Sequence, residues 1–284
     1  MELQEFSPSL EPAEWDFYRV TVKERQWNAD LWSALVDQLR PTDFEEGKGY
    51  YGYEKGLRLL RDGDRILTLY TGGNEGTRCL EASGYSSPEL VTLLRSLGVQ
   101  YRPSRLDACL DYDEEGLADA LFDFAVWFAN KKGLKLDYRG DWDRRKERTL
   151  YVGSRASAVF LRIYEKGHQA IAQGDQDASP HWVRIEVECK PDKKRREHYA
   201  LLEPSDLFRA GWVAEFMGDM FVQELAREPI GYQRVKTTDA MQKRWLVKVG
   251  RRIMSKWMQD FETPEQWGRA MAELIEEVPV DDCE

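Results

Sequence analysis

Cysteine and histidine are scarce in this chain of 284 residues, and the few present are poorly placed for the chemistry they usually serve. Cys79, Cys109, Cys189 and Cys283 lie far apart with no C-x-x-C pair, which excludes a zinc knuckle or a thiol redox motif. They read as reduced, mostly buried thiols of a cytoplasmic protein. His168, His181 and His198 never form a His-hydrophobe-His pair. No apolar run approaches the roughly 20 residues that span a bilayer, so no membrane partner is expected. The opening MELQEFSPSLEPAEWD is acidic and carries no apolar core, so no secretory signal is expected either.

What the chain does have is aromatic and charged. Ten tryptophans, 13 tyrosines and 11 phenylalanines supply large apolar groups, and 32% of residues are charged. The length suits one large domain, or one domain with an appendage, around a real core. A net charge of −10 argues at first sight against a nucleic-acid partner, because phosphate contacts come from lysine and arginine. Its distribution changes that. Residues 231–260 hold Arg234, Lys236, Lys243, Arg244, Lys248, Arg251, Arg252 and Lys256 against Asp239 and Asp260, while residues 261–284 hold almost only acids. The basic block reads equally as a DNA-facing surface or as a solvated helix face.

The most informative stretch runs from Arg148 to Lys190. Val159 to Lys166 and Val183 to Lys190 alternate apolar and polar residues at period two, the pattern of strands with one covered face. In the first, Arg162, Tyr164 and Lys166 share the open side, so a phenol is flanked by two cations. In the second, Arg184, Glu186, Glu188 and Lys190 do. Upstream, Arg105 to Asp113 repeats the arrangement with Asp107, Cys109 and Asp111 outward. On one sheet these strands would present a tyrosine, several carboxylates and a few arginines together. Carboxylate clusters without cysteine or histidine suit Mg²⁺ or Mn²⁺. A phenol with a reference pKa of about 10 needs a nearby cation to act as a nucleophile near neutrality. Taken singly, each residue also has an ordinary reading as a strand packing residue, a cross-strand pair or a solvated charge.

The segments Gly153-Ser154-Arg155-x-Ser157, Phe160-Leu161-Arg162-Ile163-Tyr164-Glu165-Lys166 and Trp182-Val183-Arg184-Ile185-Glu186-Val187-Glu188 resemble the replication initiation factor family. Its members are rolling-circle Rep proteins of plasmids and filamentous phages and related relaxases. Arg105-Leu106-Asp107 with Asp111, Gly72-Gly73-Asn74 and Leu80-Glu81-Ala82-Ser83-Gly84 extend the resemblance, in order, over roughly Trp15 to Tyr199. It implies that Tyr164 is the nicking tyrosine and that Asp107, Glu186 and Glu188 belong to a metal site holding Mg²⁺ or Mn²⁺. The His-hydrophobe-His motif of the wider tyrosine-nickase superfamily is missing; carboxylates take that role in the branch resembled, which leaves Asp111 open as a further ligand.

Read in order, residues 1–13 form a loose lead-in. A strand (Trp15 to Val22), a helix (Ala29 to Leu39), a glycine and tyrosine segment (Gly47 to Gly56), a hairpin around Asp62-Gly63-Asp64, a strand (Arg78 to Ser83) and a helix (Ser87 to Leu97) follow. From Pro103 the order begins again: strand, helix (Gly116 to Lys132), strands near Thr149 to Val152, Val159 to Lys166 and Val183 to Cys189. The polar segment Gly167 to Pro180 reads as a loop. Ser205 to Ala226, with Ser205 as cap, and Thr238 to Phe261 read as helices, and a last helix opens at Thr263-Pro264-Glu265 before an acidic tail. The expected fold is α+β and HUH-endonuclease-like. A central, mainly antiparallel sheet is built from two pseudo-repeated strand-helix-strand halves, with helices on one face and a helical C-terminal extension. The expected division is a nicking and DNA-binding domain over 14–230 and a helical segment over 231–284.

The resemblance implies a rolling-circle initiator. Tyr164 would cut one strand at an origin with a divalent metal, keep the 5′ phosphate covalently and later rejoin the ends. Arg162 and Lys166 would steady the phosphate, and Arg155 would assist from the preceding turn. The charged turn Asp141 to Arg148, with Arg144, Arg145, Lys146 and Arg148, is placed to touch a DNA backbone. Origin DNA, a host helicase and in some relatives a second copy of the chain are the implied partners. The alternatives are a relaxase of an integrative or conjugative element and a non-catalytic DNA-binding regulator on the same fold.

Overall fold

The computed structural model describes residues 12–74, 76–221, 225–231 and 254–277. Most of the expected lead-in, most of the helix at Thr238 to Phe261 with its basic block, and the acidic tail lie outside the described residues. The chain divides into two units, Met1–Gln233 and Arg234–Glu284. Within the second, α8 (Pro264–Glu277) is described. Among the described residues, no helix is long and apolar enough to cross a membrane.

The first unit holds a ten-stranded sheet in which every pairing is antiparallel. The strands are β1 (Glu14–Lys23), β2 (Asp43–Lys48), β3 (Lys55–Arg61), β4 (Asp64–Thr71), β5 (Thr77–Ser83), β6 (Tyr101–Asp113), β7 (Leu136–Asp141), β8 (Lys146–Gly153), β9 (Val159–Glu165) and β10 (Trp182–Cys189). Their order across the sheet is β2-β3-β4-β5-β1-β6-β10-β9-β8-β7. From the central β1/β6 seam outward, the first half reads β1, β5, β4, β3, β2 and the second β6, β10, β9, β8, β7. Each half is therefore an inner strand, a helix, and a four-stranded meander that returns from the edge to pair with its own inner strand. The two halves are related by a pseudo-twofold axis through the seam, where Phe17 opposes Asp107 and Tyr18 opposes Leu106.

Period-two patterning explains which face is covered. On β1 the residues Tyr18, Val20 and Val22 are fully buried, as are Leu106 and Ala108 on β6, and Ile185 and Val187 on β10. They join one continuous core with α1 (Ala29–Leu39), α2 (Ser86–Ser96), α3 (Leu117–Lys132), α5 (Arg196–Tyr199), α6 (Pro204–Leu207) and α7 (Val213–Phe221). Each large side chain brought out of water here contributes about 1.5–3 kcal/mol. Local chemistry sets the helix ends. The Asn28 side chain accepts from the Leu31 N–H at 2.8 Å to open α1, and Gly133 at φ 65° closes α3.

Two strands went unforeseen, and three expectations need correction. The polar, exposed stretches Asp43–Lys48 and Leu136–Asp141 are strands, at the two edges of the sheet. An edge strand is solvated on much of its surface and carries little apolar alternation to betray it. The helix expected over Ser205 to Ala226 is two, α6 and α7, interrupted where Gly211 takes φ 57° and Ala210 bridges Glu228. Ser205 is not its cap: α6 begins at Pro204, and Asp206 reaches back to accept from the Glu203 N–H at 2.9 Å. Lys166 does not end β9 but begins a short helix, α4 (Lys166–Ala172), inside the segment expected as loop.

Candidate functional site

Three strands of the second half bring the chemistry together on the face opposite the helices. The register places Asp107 opposite Glu188 and Glu188 opposite Phe160; Cys109 opposite Glu186 and Glu186 opposite Arg162; Asp111 opposite Arg184 and Arg184 opposite Tyr164. Because residues two apart on a strand share a face, these nine side chains form three rows of one surface. The sequence-predicted Tyr164, Arg162, Asp107, Glu186 and Glu188 all lie in it. Directly opposed residues in antiparallel strands have Cβ atoms about 4.5–5.5 Å apart, so neighbours within a row can touch.

Asp107, Glu186 and Glu188 are buried and each meets a cation. Asp107, 1% exposed, accepts from Arg105 Nε at 2.9 Å and from its Nη2. Arg105 also reaches Glu188 at 2.9 Å, and Glu188 pairs with Lys190. Glu186 pairs with Arg162. One row further along, Arg184 donates to Asp111 at 2.7 and 2.6 Å and to Asp16 at 2.8 Å, while the Trp182 indole N–H donates to Asp111 at 2.8 Å. Burial pushes the Asp107 carboxyl up to about 7 against the pull of Arg105, with Glu186 and Glu188 adding to the rise. Burial also raises Glu186, with Arg162 opposing. A charge held in such surroundings is costly unless it is paired, which explains the arginine on every acid.

Tyr164 is 6% exposed. The Arg162 guanidinium lies 4.5 Å from its ring centre and the Lys166 ammonium 6.0 Å. Burial holds its phenol well above the ordinary tyrosine value, Glu186 adds to this, and Arg184 and Arg162 oppose it. Burial, with Arg184 beside it, lowers Lys166. The resting site therefore holds a neutral phenol under a cationic roof, where any phenolate formed would be stabilised by the guanidinium groups.

The oxygen-only donor set suits a hard divalent ion, yet the arrangement does not form a cage for one. Among the described residues, no three acidic, cysteine or histidine groups converge on a point that could hold a metal. Asp107, Glu186 and Glu188 turn their oxygens to Arg105, Arg162 and Lys190 instead. The expected metal trio shares a face without sharing a centre.

The predicted DNA-facing residues separate into two kinds. Arg144 and Arg145 are exposed on the β7–β8 turn, with looser partners at Asp141 (3.6 Å) and Asp119 (3.0 Å). Lys146 is exposed beside them. Arg155 lies on the open face over the stacked rings of Tyr151 and Phe160, at 4.8 and 5.2 Å. Arg148 has a different place from the backbone contact the sequence suggests. It is 6% exposed, donates to Glu165 at 2.6 Å and Asp119 at 2.7 Å, and sits over the Phe122 ring. It ties α3 to the sheet. Sequence reasoning missed Arg105 and Asp16. The Arg105 and Asp107 spacing of two on a strand was the available signal for the first; Asp16 joins only through pairing of distant strands.

The family model described as replication initiation factor matches residues 119–245 of this chain. That stretch contains Tyr164, Glu186 and Glu188, and begins after Arg105 and Asp107. The solved structure of a rolling circle replication initiator protein from Geobacillus stearothermophilus is similar at 18% identity with a TM-score of 0.48, covering 76% of this chain and 98% of that one. No curated protein matches the chain.

Proposed function

We propose that this chain, which belongs to the replication initiation factor family through residues 119–245, nicks one strand of origin DNA with Tyr164 as the nucleophile. The observation that carries this is the register that sets Tyr164 beside Arg184, one row from Arg162 and Glu186, on a single surface. In the step itself the phenol gives up its proton and its oxygen attacks the scissile phosphorus. The P–O3′ bond breaks and the departing oxygen takes up a proton as a 3′ hydroxyl. The 5′ phosphate stays on Tyr164 until a 3′ hydroxyl attacks it and restores the bond. Arg162, Arg184 and Lys166 offset the charge that grows on the phosphate oxygens. Arg144, Arg145, Lys146 and Arg155 meet the DNA backbone outside the cut.

Two features of the resting site shape this reading. DNA reaches a phenol this buried only if Arg162, whose Nε is buried without a hydrogen-bond partner among the described residues, swings off the ring. A scissile phosphate is the ligand that draws it away. A Mg²⁺ or Mn²⁺ ion, which the family resemblance implies, would be held by Asp107, Glu186 and Glu188 only once Arg105 or Arg162 leaves its carboxylate, and would there polarise the scissile phosphate. The protein acts in the cytoplasm on its replicon's own origin, with a host helicase opening the duplex from the nick.

The arginine on every carboxylate favours a second reading, a DNA-binding regulator on the same scaffold with no chemistry. A plasmid carrying the replicon's origin separates the two. Incubation with Mg²⁺ or Mn²⁺ should leave a denaturant-stable protein–DNA adduct that Tyr164→Phe does not form. Origin binding with no adduct in either metal leaves the regulator.

A further inference from the structure

The pseudo-twofold axis supplies a second tyrosine–glutamate pair that the nicking site does not use. Rotating one half onto the other lays β4 (Asp64–Thr71) on β9 (Val159–Glu165) and β5 (Thr77–Ser83) on β10 (Trp182–Cys189). Tyr70 and Tyr164 are then both the penultimate residues of their strands, and Glu81 and Glu186 both the fifth. The register repeats the rows as well: Arg19 opposes Glu81, Glu81 opposes Thr68, and Tyr70 opposes Cys79. Tyr70 and Tyr164 share a face of the sheet, five strand spacings apart across it and well apart along it: the row of Tyr70 meets β6 at Arg102 and the row of Tyr164 meets it at Asp111.

The first half has dressed this counterpart differently. A cavity of about 230 Å³ opens there, walled by Tyr50, Tyr51 and Tyr70 and rimmed by Lys48, Arg58 and Arg65. Tyr50 and Tyr51, 55% and 54% exposed, meet Tyr70 edge-on at 6.1 and 5.6 Å. Tyr51 is fixed in place: its hydroxyl donates to Glu81 at 3.0 Å, Arg19 lies 4.0 Å over its ring, and its backbone takes φ 58°. A non-glycine residue held there is strained, and such strain concentrates where ligands bind. A Cβ at Gly56 would approach the Lys48 carbonyl to 2.8 Å and the Tyr70 ring to 3.4 Å, so glycine keeps the wall clear. On the floor, Thr68 is 2% exposed and its buried hydroxyl has no hydrogen-bond partner among the described residues. A buried polar group left unpaired calls for a ligand or a water.

Exposed aromatic rings beside cations, over an unsatisfied hydroxyl, are the chemistry of unpaired nucleotides: a base stacks on the rings while its phosphate meets arginine. We propose that this cavity seats one unpaired base of a single DNA strand, stacked on Tyr50 and Tyr51, hydrogen-bonded to Thr68, with its flanking phosphate on Arg58 and Arg65. It is a holding site on the pseudo-symmetric counterpart of the nicking surface. That the strand is the one Tyr164 cuts rests on the proposed function; that the cavity binds an unpaired base does not.

Fluorescence anisotropy of the full chain with a labelled oligothymidylate, and separately with a fully paired hairpin of the same charge, tests it. Tyr50→Ala, an exposed position, and Arg58→Gln should each weaken the oligothymidylate about tenfold and the hairpin by less than about twofold, stacking being worth about 1–3 kcal/mol per base. Thermal melting beside the parent chain verifies that both variants fold. Unchanged oligothymidylate affinity in both variants, an equal loss on the hairpin, or no binding of the oligothymidylate by the parent chain overturns the inference. Tyr164→Phe keeps the two readings apart: an adduct surviving that change sinks the nicking assignment and leaves the cavity standing, whereas an adduct lost with oligothymidylate affinity indifferent to Tyr50 does the reverse.

Discussion

The two halves of the sheet share a scaffold and differ in what they expose. In the second half, Glu186 is clasped by Arg162 from its outer neighbour and Tyr164 lies under guanidinium groups. In the first, Glu81 takes a tyrosine hydroxyl at 3.0 Å with Arg19 at 3.7 Å, and Tyr70 is surrounded by Tyr50, Tyr51 and Tyr53. The turns that match across the axis diverge in the same sense. The β2–β3 connection carries Tyr50, Tyr51 and Tyr53, while the β7–β8 connection carries Arg144 and Arg145. One half has become cationic, suited to phosphate; the other aromatic, suited to bases. The fold is therefore indifferent to the chemistry, which resides in the outward residue at every second position.

The largest expected effect breaks the apparent equivalence of the two tyrosines. Tyr164→Phe should abolish the covalent protein–DNA adduct, while Tyr70→Phe should leave its amount unchanged, as read by the shifted band on a denaturing gel after incubation with origin plasmid. Loss of the adduct in both variants would mean that the halves share the chemistry.

The core should behave in the opposite way, symmetrically. Leu80 on β5 and Ile185 on β10 occupy matching, fully buried positions, so Leu80→Ala and Ile185→Ala should each cost about 2–5 kcal/mol in urea unfolding. Breaking a feature particular to the second half should cost about as much. Glu165→Gln removes the buried one of the two carboxylates that hold Arg148, with the half-exposed Asp119 remaining, and a buried charge deprived of its buried partner costs up to about 3–5 kcal/mol. A loss under about 1 kcal/mol would show that water reaches this pair.

A pH dependence separates the halves further. Asp107 is raised from 3.8 to about 7, so the folded chain holds a proton that the unfolded chain has already released. Stability contributed by this group is therefore full below pH 3.8 and declines as pH rises toward about 7, beyond which the penalty of the buried charge is complete. Asp107→Asn should flatten the decline between these limits when urea midpoints of the two proteins are compared across pH. A difference between them that is constant with pH would place the ionised carboxylate comfortably in its arginine clasp.

Much of this was legible in the chain and some was not, for physical reasons. Strands covered on one face declare themselves through alternation, so β6, β9 and β10 and the outward sets on them followed from period two, and β1 was legible as a strand. The repeat of elements about Pro103 foreshadowed the two-halved sheet. Edge strands β2 and β7 did not, because solvent on much of their surface removes the apolar signal. Side-chain engagement was the harder layer. Alternation shows that Asp107, Glu186 and Glu188 are acids on one face; it does not show that Arg105 reaches Glu188 or that Arg162 reaches Glu186, since those pairings depend on the register of β6, β10 and β9. Arg148 misled in the same way: a basic run suggests a surface, and its partners Glu165 and Asp119 come from a strand and a helix far along the chain.

The smallest effects concern the two matched turns, and they test whether cation and ring have different tasks. Arg144 and Arg145 are 82% and 71% exposed, so neutralising either should change stability by less than about 0.5 kcal/mol. Each should nevertheless lower the slope of log affinity against log salt by about one if its guanidinium meets a phosphate, because one condensed counterion fewer is released on binding. Tyr50→Ala carries no charge and should leave that slope alone while weakening single-strand binding at every salt concentration. Anisotropy titrations of Arg144→Gln, Arg145→Gln and Tyr50→Ala over a salt series decide the matter: a slope altered by the tyrosine, or unaltered by both arginines, would remove the division of labour between the turns.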